Sequence, residues 1–271
     1  MTQSTVGTTT PVTRPGLRGW IAGHPLLSFV LLAYGVSWLL WLPAVLGVGG
    51  MPLLVAGAFG PAVAAAVVTR CTGGSIRQWL RGAFRFRIPA RYYLYALGLP
   101  AALAAVMNGM LAAMGYDVDP ALALDRLPAY LSTLVFVAVL GGGQEEFGWR
   151  GFALPLLQRR WQPWQATLVL GLVWGVWHVP LYGLLGFILP LFLAFFYTYL
   201  YNATGSVLAC VLLHASFTPA LEQLILIPEE AANAGGAHGT ADVVILGTVV
   251  LAAALLTLAT RGRLGYRGHT G

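Results

Sequence analysis

Six polar side chains stand inside stretches that are otherwise apolar: Glu145, Glu146, Arg150, His178, His214 and Glu222. An ionised group at the centre of a membrane helix costs at least about 2.5–3.5 kcal/mol, so such residues pair, line a wet cavity or do chemistry. Glu146 and Arg150 are four apart and make a good helical ion pair. Glu222, near an outer segment end, reads as a snorkelling or rim residue. Glu145 and the two histidines are left over. Carboxylates with imidazoles can hold Zn²⁺, or can activate a water between a Glu and a His. In either arrangement water is the nucleophile and hydrolysis is the natural reaction. Competing designs are missing from the sequence: it has no H-E-x-x-H, no G-x-G-D and no Walker loop. Gly35-Val36-Ser37 lacks the Gly that would follow a nucleophilic serine and reads as packing.

The elements that must position these groups follow from composition. The chain has 271 residues, 58% hydrophobic and only 9% charged, where a soluble domain carries about 25% charge. A water-facing surface cannot be made from so few charges, so a soluble enzyme and a nucleic-acid reader are excluded despite a net charge of +6. Apolar blocks lie near 26–48, 51–69, 92–114, 129–157, 163–183, 185–202, 205–227 and 242–260. Each is long enough to approach a roughly 30 Å hydrocarbon core as a helix. The expectation is an all-α, polytopic integral membrane protein of eight spans, occupying 25–262. Residues 1–24 read as a flexible polar tail and 263–271 as a second tail. The first block is too long for the h-region of a signal peptide.

Loop charges alternate. Arg14 and Arg18, then Arg70 to Arg91, then Arg159 and Arg160, then Arg261 to Arg267 mark one side. Asp117, Asp119, Asp125, Glu229 and Glu230 mark the other. The positive-inside rule then predicts both termini cytoplasmic, in a bacterial cytoplasmic membrane. Arg77, Arg81 and Arg85 recur every four residues with Ile76, Trp79, Leu80 and Phe84 between them, the pattern of an amphipathic helix lying on the membrane. Trp38, Trp41, Trp161, Trp164, Tyr197, Tyr199 and Tyr201 fall near segment ends and read as interfacial anchors. Cys71 and Cys210 show no metal spacing and read as inert thiols. No internal repeat is visible, which argues against a transporter.

Depth can be worked out from the turns. Glu145 lies 15 residues before Arg160, and His178 lies 15 after Pro163. At 1.5 Å per residue both sit roughly 22 Å from a turn around Arg160–Pro163. His214 sits roughly 15 Å in from a turn near Asn202–Gly205. One buried layer can therefore collect all three.

With those residues in view, a resemblance becomes specific. Glu145-Glu146-Phe147-Gly148-Trp149-Arg150 resembles the E-E-x-x-x-R signature of the CPBP family, the CAAX-protease and bacteriocin-processing intramembrane proteases. Trp174-Gly175-Val176-Trp177-His178 resembles its second motif, and His214-Ala215-Ser216-Phe217-Thr218 its third, H-x-x-x-N. Phe59-Gly60-Pro61-Ala62 is similar to a further family feature, and the likeness spans roughly 50–225 in matching order. It implies an intramembrane endopeptidase related to the Ras-converting CAAX enzyme, acting on a peptide or a prenylated protein C-terminus. Glu145 would be the general base, with His178 on the attacking water. His214 and Thr218 would stabilise the oxyanion, and Glu146 and Arg150 would order the site. The family has been described both as metalloproteases and as glutamate proteases. Zn²⁺ on Glu145, His178 and His214 therefore stays open beside a metal-free site. Thr218 stands where the pattern has Asn, which weakens the donor or points to a non-catalytic relative, such as a peptide-binding self-immunity protein. Trp174 stands where Phe is more usual.

Overall fold

The structure is a computed structural model that describes residues 16–228 and 237–268, and the elements in them are helical. Helix α1 (Leu17–Gly23) leads into α2 (Pro25–Val45). A turn then reaches α3 (Met51–Ala58) and α4 (Gly60–Cys71), two halves of one span that breaks at Phe59. Helix α5 (Ile76–Ala83) is short, and α6 (Ala90–Ala113) is a full span. A single turn, α7 (Leu122–Asp125), precedes α8 (Leu127–Val139). Beyond α8 the helix comes apart, giving a 3-10 turn Gly143–Glu145, α9 (Glu146–Gly148), a π turn Trp149–Ala153 and α10 (Leu154–Leu157). The long α11 (Pro163–Thr204) is two arms folded at Gly183, and α12 (Val207–Gln223) and α13 (Ala237–Ala259) complete the chain.

Among the described residues, seven stretches are long and apolar enough to cross a membrane, and this is an integral membrane protein. The eighth expected span is shorter than its sequence block. Helix α12 has 17 residues, about 26 Å of rise. It is the inner helix of the bundle, packed on α6 and α8 and touching the segment between α8 and α10. The periphery is apolar instead. Leu94 and Leu258 are each more than 70% exposed, and Leu31, Val106, Val135 and Leu251 also face outward. Such a belt would aggregate in water and is at home in lipid.

Local signals explain the joints. Pro163 starts α11 behind a reciprocal pair of side-chain caps from Gln162 and Gln165. Gly205 ends it in the left-handed region at φ 65°. Ser206 then caps α12 by accepting from the Ala209 amide at 3.1 Å. The two arms of α11 approach closely because Gly171 and Gly175 lack side chains. A Cβ at Gly171 would sit 2.6 Å from the Leu191 carbonyl oxygen, and one at Gly175 2.3 Å from that of Phe187. On the opposite end of the bundle, Arg126 donates to the carbonyls of Ile225 and Ile227 at 2.9 and 3.2 Å, tying the start of α8 to the end of α12.

Several expectations change. The block 129–157 is not one helix, because Gly141-Gly142-Gly143 break it and Gly142 takes φ 137°. Within the predicted tail 1–24, Leu17–Gly23 is helical with Ile21 buried, while 1–15 lie outside the described residues. In the C-terminal tail, Leu264 is fully buried and its carbonyl accepts from Asn202 at 3.0 Å. Glu229 and Glu230 lie outside the described residues. The expected amphipathic helix is present as α5, but Arg85 lies beyond its end.

Candidate active site

The segment that carries the acidic pair is held from several sides. Gly148 presses on α4, where a Cβ would meet the Pro61 carbonyl oxygen at 2.5 Å. Trp79 of α5 donates to the Gly151 carbonyl at 3.0 Å. Gln144 braces the break itself, donating to the Leu140 carbonyl at 2.8 Å and accepting from the Gly142 amide at 3.1 Å. The π turn places Arg150 inward, fully buried.

Around that segment the sequence-selected residues come together. Glu146, fully buried, has Oε2 3.0 Å from Arg150 Nη1, which donates to Oε1 at 3.1 Å. His214 of α12 places Nδ1 3.0 Å from the same Oε1, so its Nδ1–H is the donor. The Arg150 guanidinium lies between two rings, 4.3 Å from the Trp174 centroid and 4.5 Å from that of Tyr197. Glu145, 4% exposed, accepts at Oε2 from Trp174 Nε1 at 2.9 Å. His178 Nδ1 donates to the Trp174 carbonyl at 2.9 Å, which fixes the tautomer and leaves Nε2 as an acceptor in the neutral ring. That Nε2 is 4.0 Å from Glu145 Oε2. Trp174 therefore sets both members of the Glu145–His178 pair, one through its indole and the other through its backbone. Helix α2 steadies the same stretch of α11, with Tyr34 donating to the Val173 carbonyl and Trp38 to that of Trp177 at 3.0 Å.

Two cavities meet at this pair. One of about 470 Å³ lies against α2, α3 and α8, with Trp41, Leu54 and Phe136 in its walls. The other, about 360 Å³, lies between the second arm of α11 and α12, with Leu189, Leu193 and Phe217 in its walls. Both are lined by Glu145, His178, Tyr182, Thr218 and Glu222. Thr218 thus faces the cavity, with only a long 3.5 Å contact from its hydroxyl to the His214 carbonyl.

The metal reading finds a different arrangement. Among the described residues no three His, Cys, Asp or Glu side chains are grouped to hold an ion. Glu145 is paired with His178, while His214 turns Nδ1 to Glu146, which is already on Arg150, and leaves its Nε2 toward Gly142 and Glu145. As placed, these three side chains are not gathered around one point as an ion would need.

Some functional neighbours were not read from sequence. Tyr197 and Trp41 are 1% and 2% exposed and are not interfacial anchors, since Tyr197 covers Arg150 and Trp41 donates to the Leu54 carbonyl. Trp174, at the position where Phe is more usual, adds an indole donor to Glu145 that the motif does not carry. Gly142 and Gln144 carry a visible signal, three glycines in an apolar block directly before the acidic pair. Glu222, read as a rim residue, lines both cavities while remaining exposed.

All six residues selected for catalysis fall in a stretch with known relatives. Residues 127–218 match a family model described as type II CAAX prenyl endopeptidase Rce1-like. The segment that carries the site is similar to that family over about a third of the chain. Forty-eight residues are also 40% identical to the CAAX prenyl protease 2 of Methanococcus maripaludis, a match covering 18% of this chain and 18% of that protein. The family match starts at the first residue of α8 and stops at Thr218, so it contains the helix break, both histidines and the residue at the departing position.

Proposed function

We propose that this protein is an intramembrane endopeptidase in which a water held by Glu145 and His178 attacks a peptide carbonyl. The observation that carries the reading is the 4.0 Å separation between His178 Nε2 and Glu145 Oε2, two acceptors. A water hydrogen-bonded to both at about 2.8 Å spans that distance with an angle of roughly 90° at its oxygen. Both its protons then point to the protein and its lone pairs are free for the carbonyl. Glu145 takes the proton as the C–O bond forms and returns it to the leaving amine as the C–N bond breaks. His178 keeps the water aimed. His214, when it carries both protons, offers Nε2–H to the oxyanion, with Thr218 as a second donor. Glu146 and Arg150 hold His214 in place. No step runs through a metal.

The two cavities support a substrate laid across the pair, with chain on either side of the scissile bond. The likeness to CAAX prenyl endopeptidases supports a prenylated C-terminus as that substrate, the lipid occupying apolar wall and the peptide passing Gly141 and Thr218. The arginine-rich loops support an arrangement with both termini in the cytoplasm, and a bacterial cytoplasmic membrane as the location.

The test is cleavage of a fluorogenic peptide ending in a farnesylated CAAX sequence by purified protein in proteoliposomes. Glu145→Gln and His178→Ala should each abolish turnover while leaving substrate binding intact. Wild-type turnover in either variant refutes the mechanism, and binding without cleavage by the wild type refutes the enzyme. Cleavage of the unprenylated peptide at an equal rate refutes the substrate class. Turnover that chelator removes and Zn²⁺ restores refutes the metal-free step.

A further inference from the structure

A cavity larger than either of those beside Glu145 lies elsewhere among the described residues. About 850 Å³ opens between α5, the end of α4, α10 and the turn from α11 to α12. Arg81, Arg85 and Arg159 line it, together with the neutral polar groups of Ser75 and Gln78, and no Asp or Glu among the described residues does. Arg85 donates to the Thr204 carbonyl at 3.2 Å, at the negative end of α11. Arg81 and Arg159 have no hydrogen bond or ion pair among the described residues. The acids nearest to Arg159 in the chain, Glu145 and Glu146, are buried and engaged by Trp174, Arg150 and His214.

Three guanidiniums around one concavity repel each other, and a low-dielectric wall behind them concentrates their field. Their planar forks match the oxygens of a phosphate. The wall also has an apolar part, from Pro25, Phe152 and Leu156. The anion that suits this cavity therefore carries a hydrocarbon portion. Helix α5 is strongly amphipathic, so the cavity sits at the boundary between membrane and water.

We propose that this cavity binds the phosphate of an anionic phospholipid, with the guanidiniums of Arg81 and Arg159 on the phosphate oxygens and acyl chain along Phe152 and Leu156. The site is separate from Glu145, yet it shares a wall with it. Gly151 and Phe152 belong to the π turn that carries Arg150, and Trp79 of the cavity already bonds the Gly151 carbonyl. A bound lipid clamps α5 onto the back of that turn.

The test uses the full chain purified in neutral detergent, with phosphatidylglycerol, phosphatidylcholine and glycerol 3-phosphate titrated separately and bound ligand counted by native mass spectrometry. Phosphatidylglycerol should bind and phosphatidylcholine should not. Arg81→Ala/Arg159→Ala should weaken phosphatidylglycerol roughly 30-fold, from the usual contribution of each basic residue near an anionic headgroup. Arg77→Ala/Arg160→Ala removes the same charge from residues outside the cavity and should weaken it by less than about threefold. Arg159→Ala alone, at an exposed turn, keeps the fold if the double variant does not, and should cost roughly fivefold. Equal binding of the two lipids, equal losses in the two double variants, or no loss in Arg159→Ala overturns the site. Displacement of the lipid by an equal concentration of glycerol 3-phosphate would show a soluble phosphate ligand and overturn the lipid assignment.

Discussion

Replacing Trp174 by Phe isolates one hydrogen bond at the proposed base. The indole Nε1 lies 2.9 Å from Glu145 Oε2, and the carboxylate is 4% exposed, so little water can replace the donor. Phe keeps an aromatic face for Arg150 and keeps the backbone carbonyl that holds His178 Nδ1. The perturbation therefore falls first on the aim of Glu145, with a smaller loss of packing against His178, Tyr197 and His214. Hydrogen bonds to charged groups contribute about 1.5–3 kcal/mol. If that is lost where the base must be aligned, kcat falls roughly 10- to 150-fold. The carboxylate set free becomes a stronger base and returns part of the loss, so the lower half of that range is expected. KM should change less than kcat, because the bond lost is to Glu145, although Trp174 also lines the smaller cavity. Trp149→Phe is the matched control. Trp149 is fully buried, its Nε1 has no hydrogen-bond partner among the described residues, and it does not line either cavity beside Glu145. The assay is initial-rate cleavage of the farnesylated fluorogenic peptide, with Tm recorded for each variant. Equal kcat losses in Trp174→Phe and Trp149→Phe, or a wild-type kcat in Trp174→Phe, would refute the idea that Trp174 positions the base.

Other outcomes follow from the same geometry. Gly142→Ala places a Cβ 3.0 Å from His214 Nε2 and 3.3 Å from Glu145 Oε1 at a φ of 137°, so turnover should drop at least about tenfold with helix content by circular dichroism unchanged. Arg150→Met leaves the fully buried Glu146 carboxylate with the His214 Nδ1–H alone, and a loss of up to about 3–5 kcal/mol should appear as a clear fall in Tm in detergent. Thr218→Asn lengthens a side chain that faces the cavity, and kcat should rise by up to about 10²-fold if Thr218 is a weakened oxyanion donor; an unchanged kcat removes residue 218 from that role.

The sequence was informative wherever burial had to be compensated in plain view. Charged residues are so scarce that Glu145, Glu146 and Arg150 stood out, and counting residues from two turns brought Glu145 and His178 to a common depth. In the structure their side chains are 4.0 Å apart. The Glu146–Arg150 pair is present as its spacing implied. What escaped reading depended on direction, which spacing alone does not carry. His214 turns its Nδ1 to Glu146, and nothing in H-x-x-x-T says so. Tyr197 lies near a segment end like the anchoring aromatics around it, but the close packing of the two arms of α11 turns it inward to Arg150. The break after α8 is legible in its three glycines, yet the periodicity of apolar residues runs across it undisturbed.

That break has a consequence for how a peptide could be received at all. A continuous helix consumes its own amides and carbonyls, so a bundle of such helices is a solvent with no backbone partners to offer. An extended guest brings its own unpaired peptide groups and would be repelled from that interior for the reason that water-soluble loops are. Between Leu140 and Gly143 the host chain leaves its ladder beside Glu145, with Gly141 bare on the walls of both cavities. Most groups at the break are already paired within the chain, and on the proposed reading the Gly141 carbonyl, which accepts no hydrogen bond among the described residues, is where a substrate main chain would find a partner.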